Sequence, residues 1–151
     1  MIRVRASSVI DAPVAKVWTL VGDFAAVAEW MPGIAAAATD EPGAARVGSL
    51  RRLVFHDGSR MVERLLALSE PDTMVTFSIE ESELPISEYC STIRLASITD
   101  GDRTYIEWMS EFEVSPAEEE QMSRRMLDGI YQPGFDSLKR LLERSSSDVH
   151  A

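Results

Sequence analysis

The chain holds one cysteine, Cys90, and two histidines, His56 and His150, in 151 residues. A single thiol cannot close an internal disulfide. Two distant histidines and one cysteine also lack metal-ligand spacing, so neither a disulfide framework nor a zinc or iron site is expected. Positive charge is scarce: 15 Lys and Arg stand against 25 Asp and Glu, a net charge of −10. Nucleic acid and anionic membrane both require clustered basic residues, so neither is an expected partner. The longest apolar runs, such as residues 34–38, are far too short for membrane insertion. Met1-Ile2-Arg3-Val4-Arg5 leads straight into a strand pattern with no visible signal peptide, and the expected location is the cytoplasm. No Gly-x-Gly-x-x-Gly or phosphate loop occurs, and no cofactor is implied.

What is present is a globular composition, 45% hydrophobic with ordinary Gly and Pro counts. The length fits one domain, 1–144, followed by a frayed Ser-rich tail at 145–151. Residues 2–10 alternate as a strand. Asp11 can cap the next helix and Pro13 suits its first turn, after which Val14, Val17, Trp18 and Val21 share one face. Gly22-Asp23 breaks that helix, and a second short one over 24–30 stops at Pro32-Gly33. Five further strands are read at 46–55, 60–68, 74–80, 88–98 and 103–114. The first two are joined by a tight turn at His56-Asp57-Gly58-Ser59. Ser115-Pro116 then starts a long helix over 116–143, with a cap, a first-turn proline and three acids at its positive end. Gln132-Pro133-Gly134 inside that helix predicts a kink or bulge near 129–134. The expected fold class is α+β: a curved antiparallel sheet of about 6–7 strands, with two short helices after strand 1, wrapped around the long helix and enclosing a cavity.

Particular stretches carry a resemblance: Asp11-Ala12-Pro13-Val14, Val17-Trp18, Trp30-Met31-Pro32-Gly33-Ile34, Arg46-Val47-Gly48-Ser49, Trp108 with Phe112, and Tyr131-Gln132-Pro133-Gly134. In order and spacing they resemble the polyketide cyclase/dehydrase branch of the START-like (SRPBCC) superfamily over roughly residues 3–143. The resemblance implies the helix-grip fold, shared with birch-pollen-allergen-like proteins and plant abscisic-acid receptors. It also implies a hydrophobic small molecule as partner, and homodimers occur on this scaffold. Around Trp30 this chain has no lysine like the one with which those receptors hold a carboxylate. Their gating loop is shortened here to residues 56–59, whereas the loop at 81–86 is long enough to act as a lid.

Strand alternation sorts the side chains, since residues two apart share a face. The inward set is Ser49, Arg51, Leu53 and Phe55, then Met61, Glu63, Leu65 and Ala67, then Val75, Phe77 and Ile79. It continues with Tyr89, Ser91, Ile93 and Leu95, and with Ile106, Trp108, Ser110 and Phe112. The long helix presents Met126, Ile130, Gly134 and Leu138 at intervals of four. The result is an apolar pocket with a polar set of Arg51, Glu63, Tyr89, Ser91 and Ser110. Several readings stand side by side. Arg51 and Glu63 form a structural ion pair, or a one-residue slip leaves both solvated; alternatively they orient a polar end of an apolar ligand. In a cyclase, aromatase or dehydratase, Arg51 would polarise a carbonyl while Glu63 or Tyr89 moves a proton. His56 reads as an exposed turn residue, or as a ligand contact if that turn is the pocket entrance. Cys90 alternates away from Tyr89 and faces outward or into a subunit contact. Trp30 and Trp108 read as core, with Trp108 also able to line the cavity.

Overall fold

The structure, a computed structural model, describes residues 1–144, so the tail expected at 145–151 lies outside the described residues. Seven strands make one antiparallel sheet: β1 Ile2–Ile10, β2 Ile34–Thr39, β3 Leu50–Phe55, β4 Arg60–Ser69, β5 Met74–Ser82, β6 Ser87–Ile98 and β7 Arg103–Glu113. Their spatial order is β1-β7-β6-β5-β4-β3-β2, so strands two to seven form a continuous meander and β1 pairs across the far edge with β7. Between β1 and β2 lie helix α1, Val14–Val21, and a 3-10 helix, Phe24–Glu29. The C-terminal helical run comprises α2, Glu119–Met126, a π-helical turn, Leu127–Tyr131, and α3, Gln132–Leu142. This is the helix-grip arrangement.

The sheet curves where the β4–β5 register shifts twice: Glu80 is the extra residue on β5 opposite Val62 and Glu63, and Leu66 is the extra residue on β4 between Leu65 and Ala67. An extra residue on one strand bends it and sharpens its twist. Inward positions on the concave face carry the core: Leu53, Leu65, Phe77, Ile93, Ile106 and Phe112 are all buried. Met126, Phe135 and Leu138 meet them from the helix. At the centre Trp108 stacks on Tyr131, with centroids 4.4 Å apart, and packs against Trp30 and Phe135 at 5.9 and 6.5 Å.

Local details depart from the sequence reading in four places, and one expected irregularity is present. Residues 34–39, to which the sequence reading assigns no strand, are β2. β3 begins at Leu50, not 46, because Gly48 adopts a positive φ of 96° and the Ser49 hydroxyl accepts the Arg46 N–H, holding 46–49 in a turn. Asp11 does not cap α1; its carboxylate pairs with Arg144 at 2.6 Å and ties the end of the long helix to β1. Ser115 donates to the Glu118 carboxylate (3.1 Å) in place of a backbone cap. The irregularity expected near 129–134 is the π turn at 127–131, which ends two residues before Pro133. Proline cannot donate to the carbonyl four residues back, and its ring would clash there; widening the preceding turn removes both conflicts.

Candidate functional site

The β3–β4 register sets Arg51 directly opposite Glu63. Their side chains, 5% and 6% exposed as residues, meet through Arg51 Nε and Glu63 Oε1 at 2.8 Å. The guanidinium also donates from Nη1 to the Phe24 carbonyl at 2.9 Å. It lies between two rings, 4.0 Å from the Phe24 centroid and 4.8 Å from that of Phe77. Stacking of this kind holds a weakly hydrated planar cation in an apolar setting. Arg51 Nη2 and Glu63 Oε2 have no hydrogen-bond partner among the described residues, yet no buried side-chain nitrogen or oxygen there lacks a partner. Both atoms therefore keep open surface. That surface faces an apolar chamber of about 60 Å³ which both residues line.

Of the other residues read from alternation, Leu53, Phe55 and Met61 line the chamber from β3 and β4. Phe77, Ile79, Tyr89 and Trp108 line it from β5, β6 and β7, and Met126 and Ile130 from the helix. Ser91, Ser110 and Gly134 lie behind its wall. Ser91 accepts from Trp108 Nε1 at 2.6 Å, and Ser110 hydrogen-bonds the Tyr131 hydroxyl. Gly134 lets the helix backbone approach Trp30 and Met31. Four chamber residues, Val27, Met31, Ile34 and Leu84, come from segments to which strand alternation did not apply, and Trp30 joins them from its core position. The apolar face of the 3-10 helix, with Phe24, Val27 and Trp30 three residues apart, was the signal available for the first of these.

Tyr131 was missed as a polar site residue. Spacing by four from Met126 points to Ile130, but the π turn adds one residue, so Tyr131 and then Phe135 face the sheet. The Tyr131 hydroxyl contacts that of Tyr89 at 3.1 Å. Burial raises both phenols above the ordinary tyrosine range, and each Tyr89 neighbour of like tendency, Tyr131 first, adds to its shift. Both are therefore neutral hydrogen-bonding groups near pH 7.

The chamber opens into a mouth of about 340 Å³, with Met31, Ile34, Phe55, Met61, Leu84 and Ile130 common to both. The β3–β4 turn gives the rim Asp57, Ser59 and Arg60, the β5–β6 loop gives Ser82 and Glu83, and the helix gives Arg125. His56 is exposed in that turn, and Cys90 faces outward with its thiol pushed up by partial burial and then by Glu111. The chamber alone has room for about four waters. Small-molecule sites span roughly 300–1,000 Å³, so a ligand of that size must occupy chamber and mouth together. Among the described residues no three His, Cys, Asp or Glu side chains gather as a metal group, and no helix is long and apolar enough to cross a membrane.

The sequence matches, over residues 1–143, the family model described as polyketide cyclase / dehydrase and lipid transport. The chain belongs to this family. No curated protein matches it. Among solved structures it is similar to XoxI from Bacillus cereus, at 28% identity and a TM-score of 0.83, covering 100% of this chain and 99% of that one. A Bacillus thuringiensis protein aligns at 28% identity and a TM-score of 0.80, over 93% and 98% of the two chains. The di-domain ARO/CYC BexL from the BE-7585A biosynthetic pathway aligns at 16% identity and a TM-score of 0.77, over 93% of this chain and 46% of that one. At that identity the likeness to BexL concerns the fold alone.

Proposed function

We propose that this protein binds a hydrophobic or aromatic small molecule, a polyketide-like metabolite or a lipid, with its polar end in the chamber and most of its apolar body in the mouth. One observation carries the reading: in a largely apolar chamber wall, whose other polar side chain is Tyr89, Arg51 and Glu63 hold an unpaired N–H and an unpaired carboxylate oxygen that keep open surface. A ligand group with an adjacent acceptor and donor, a hydroxyketone or an enol for example, would satisfy both atoms. The pair is neutral as a unit, so a neutral polar end is favoured over a third buried charge.

A second reading is supported by the family and by the same residues. In a cyclase, aromatase or dehydratase, Arg51 would polarise a carbonyl, Glu63 would take a proton, and Tyr89 would return one to oxygen. Holding a flexible chain in a reactive fold would contribute several kcal/mol by itself.

Native mass spectrometry of the purified protein, with extraction of whatever is bound, tests the first reading. A co-purified apolar molecule is the expected result. Protein that is empty and also fails to bind a hydrophobic fluorescent probe would overturn it. Incubating the identified class with wild type and Glu63→Gln separates the two readings, since a carrier retains the molecule unchanged in both whereas an enzyme converts it only in wild type.

A further inference from the structure

Three hydroxyls run in line from the sheet to the chamber: Ser110 Oγ, Tyr131 OH and Tyr89 OH. Ser110 and Tyr131 are each 0% exposed, and only Tyr89 belongs to the chamber lining. Each hydroxyl has one proton to donate and two lone pairs. Two hydrogen bonds link three hydroxyls, so one of the three protons is left over. If the chain ran inward from Tyr89, the spare proton would sit on Ser110, which has no other hydrogen-bond partner among the described residues. If Tyr131 accepted from both neighbours, its own proton would be stranded in the closed interior. Stranding a buried donor costs the full desolvation of that group. Ser91, the neighbouring hydroxyl, accepts from Trp108 Nε1 and donates to the Met109 carbonyl, and neither tyrosine hydroxyl is in hydrogen-bonding geometry with its remaining lone pair.

We infer that the chain runs Ser110 to Tyr131 to Tyr89, which leaves the Tyr89 O–H as a donor aimed at ligand oxygen, with Tyr131 as its positioning residue. This rests on the chamber being the binding site and deepens that reading by naming a substrate class: flat apolar molecules with a carbonyl oxygen. Each link also strengthens the next, because a hydroxyl that accepts a hydrogen bond becomes a better donor. The placement of Tyr131 depends on the π turn, an irregularity often found where a helix serves a site. Burial keeps both phenols protonated near neutral pH, as a donor chain requires.

The test uses 9-fluorenone and fluorene, one ring system with a carbonyl or a methylene. Wild type should bind fluorenone about tenfold more tightly than fluorene, the value of one buried hydrogen bond. The carbonyl stretch of bound fluorenone should lie at lower wavenumber than in Tyr89→Phe, which should bind both compounds alike. Tyr131→Phe and, independently, Ser110→Ala should move the stretch part of the way towards its Tyr89→Phe value, with fluorene affinity unchanged. A loss of fold would instead weaken both compounds together, and Ser110→Ala carries the test if Tyr131→Phe does not fold. Fluorene binding without fluorenone preference, or an unshifted stretch in Tyr89→Phe, would overturn the donor while leaving the chamber reading intact. A wild-type stretch retained in both Tyr131→Phe and Ser110→Ala would overturn the role given to Tyr131. Failure of folded wild type to bind either compound would overturn the chamber reading and this inference with it.

Discussion

Arg51 and Glu63 lend themselves to a stability experiment in which the two single variants differ in pH dependence. Both side chains are buried, at 6% and 7% exposure, and each is the other's counter-charge at 2.8 Å. Removing one member of such a pair leaves an uncompensated buried charge, typically a loss of about 3–5 kcal/mol. For a chain of this length that corresponds to a Tm fall of about 10 °C. The two single variants then diverge. In Glu63→Gln the remaining guanidinium cannot lose its proton, so its burden persists at every accessible pH. The Phe24 carbonyl and the two flanking rings still hold it, which places this variant at the lower end of the range. In Arg51→Met the remaining carboxylate can escape by binding a proton. For an ordinary glutamate that escape costs roughly 3–4 kcal/mol at pH 7 and roughly 1 kcal/mol at pH 5. A buried acid that gains protons on folding stabilises the folded state as pH falls, so the Arg51→Met deficit should shrink by roughly 2 kcal/mol between pH 7 and pH 5. The Glu63→Gln deficit should stay constant over that window. The double variant Arg51→Met with Glu63→Leu, which removes both charges, should recover most of the loss. Urea unfolding at both pH values measures all three. Deficits below about 1 kcal/mol in both single variants would refute the reasoning, because such values belong to a solvated surface pair.

Three further outcomes follow from the packing and the titrating groups. Gly134→Ala should destabilise the fold by about 1–3 kcal/mol in urea titration, since its Cβ would lie 2.9 Å from Met31 Sδ and 3.2 Å from Trp30; an unchanged midpoint would mean that the helix rides further from the sheet than it does here. Tyr89 and Tyr131 resist ionisation while buried, so their folded-state values lie above the unfolded one, and the stability they hold below about pH 10 should fall as pH rises beyond it. Absorbance near 295 nm should then show two phenolates appearing only with unfolding; their appearance in still-folded protein would contradict the burial. Cys90, although exposed, should react with a thiol reagent at pH 8 more slowly than a free cysteine does, because partial burial and Glu111 disfavour its thiolate, and the rate should reach that of free cysteine on denaturation.

Most of the sheet was legible because a half-buried strand writes its two faces in alternation. Met61, Glu63 and Leu65, or Ile106, Trp108, Ser110 and Phe112, point one way in sequence and in the structure. The legible pattern needs contrast, and β2 has none. Its Ile-Ala-Ala-Ala-Ala-Thr run is built of a residue depleted in strands, and its place at the sheet edge leaves Ala35, Ala36 and Ala38 exposed. Only its pairing with β3 makes it a strand. The polar pair of the site was readable from spacing plus the rule that a buried charge seeks a partner. Its flanking by Phe24 and Phe77 was not, because Phe24 arrives from an element whose placement depends on the whole fold.

The long helix shows why the remaining part of the site escaped a periodic reading, and why access and packing are bound together. Ordinary α-helical spacing continues one face indefinitely, about 100° per residue. The π turn resets that face by one residue, so Tyr131, Phe135 and Leu138 pack into the core. Ile130, one step earlier, remains half-buried between chamber and mouth, and Gly129 sits on the rim. Gly134 brings the helix onto Trp30, Met31 and Trp108, which line the chamber, while the widened turn leaves Gly129 and Pro133 on the rim of the mouth with Arg125. A change that restored regular helix between 127 and 131 would therefore rotate Tyr131 away from Tyr89 and Ser110 and re-aim the rim in the same motion. The entrance cannot be widened there without loosening the hydroxyl chain, and the chain cannot be rebuilt without moving the entrance.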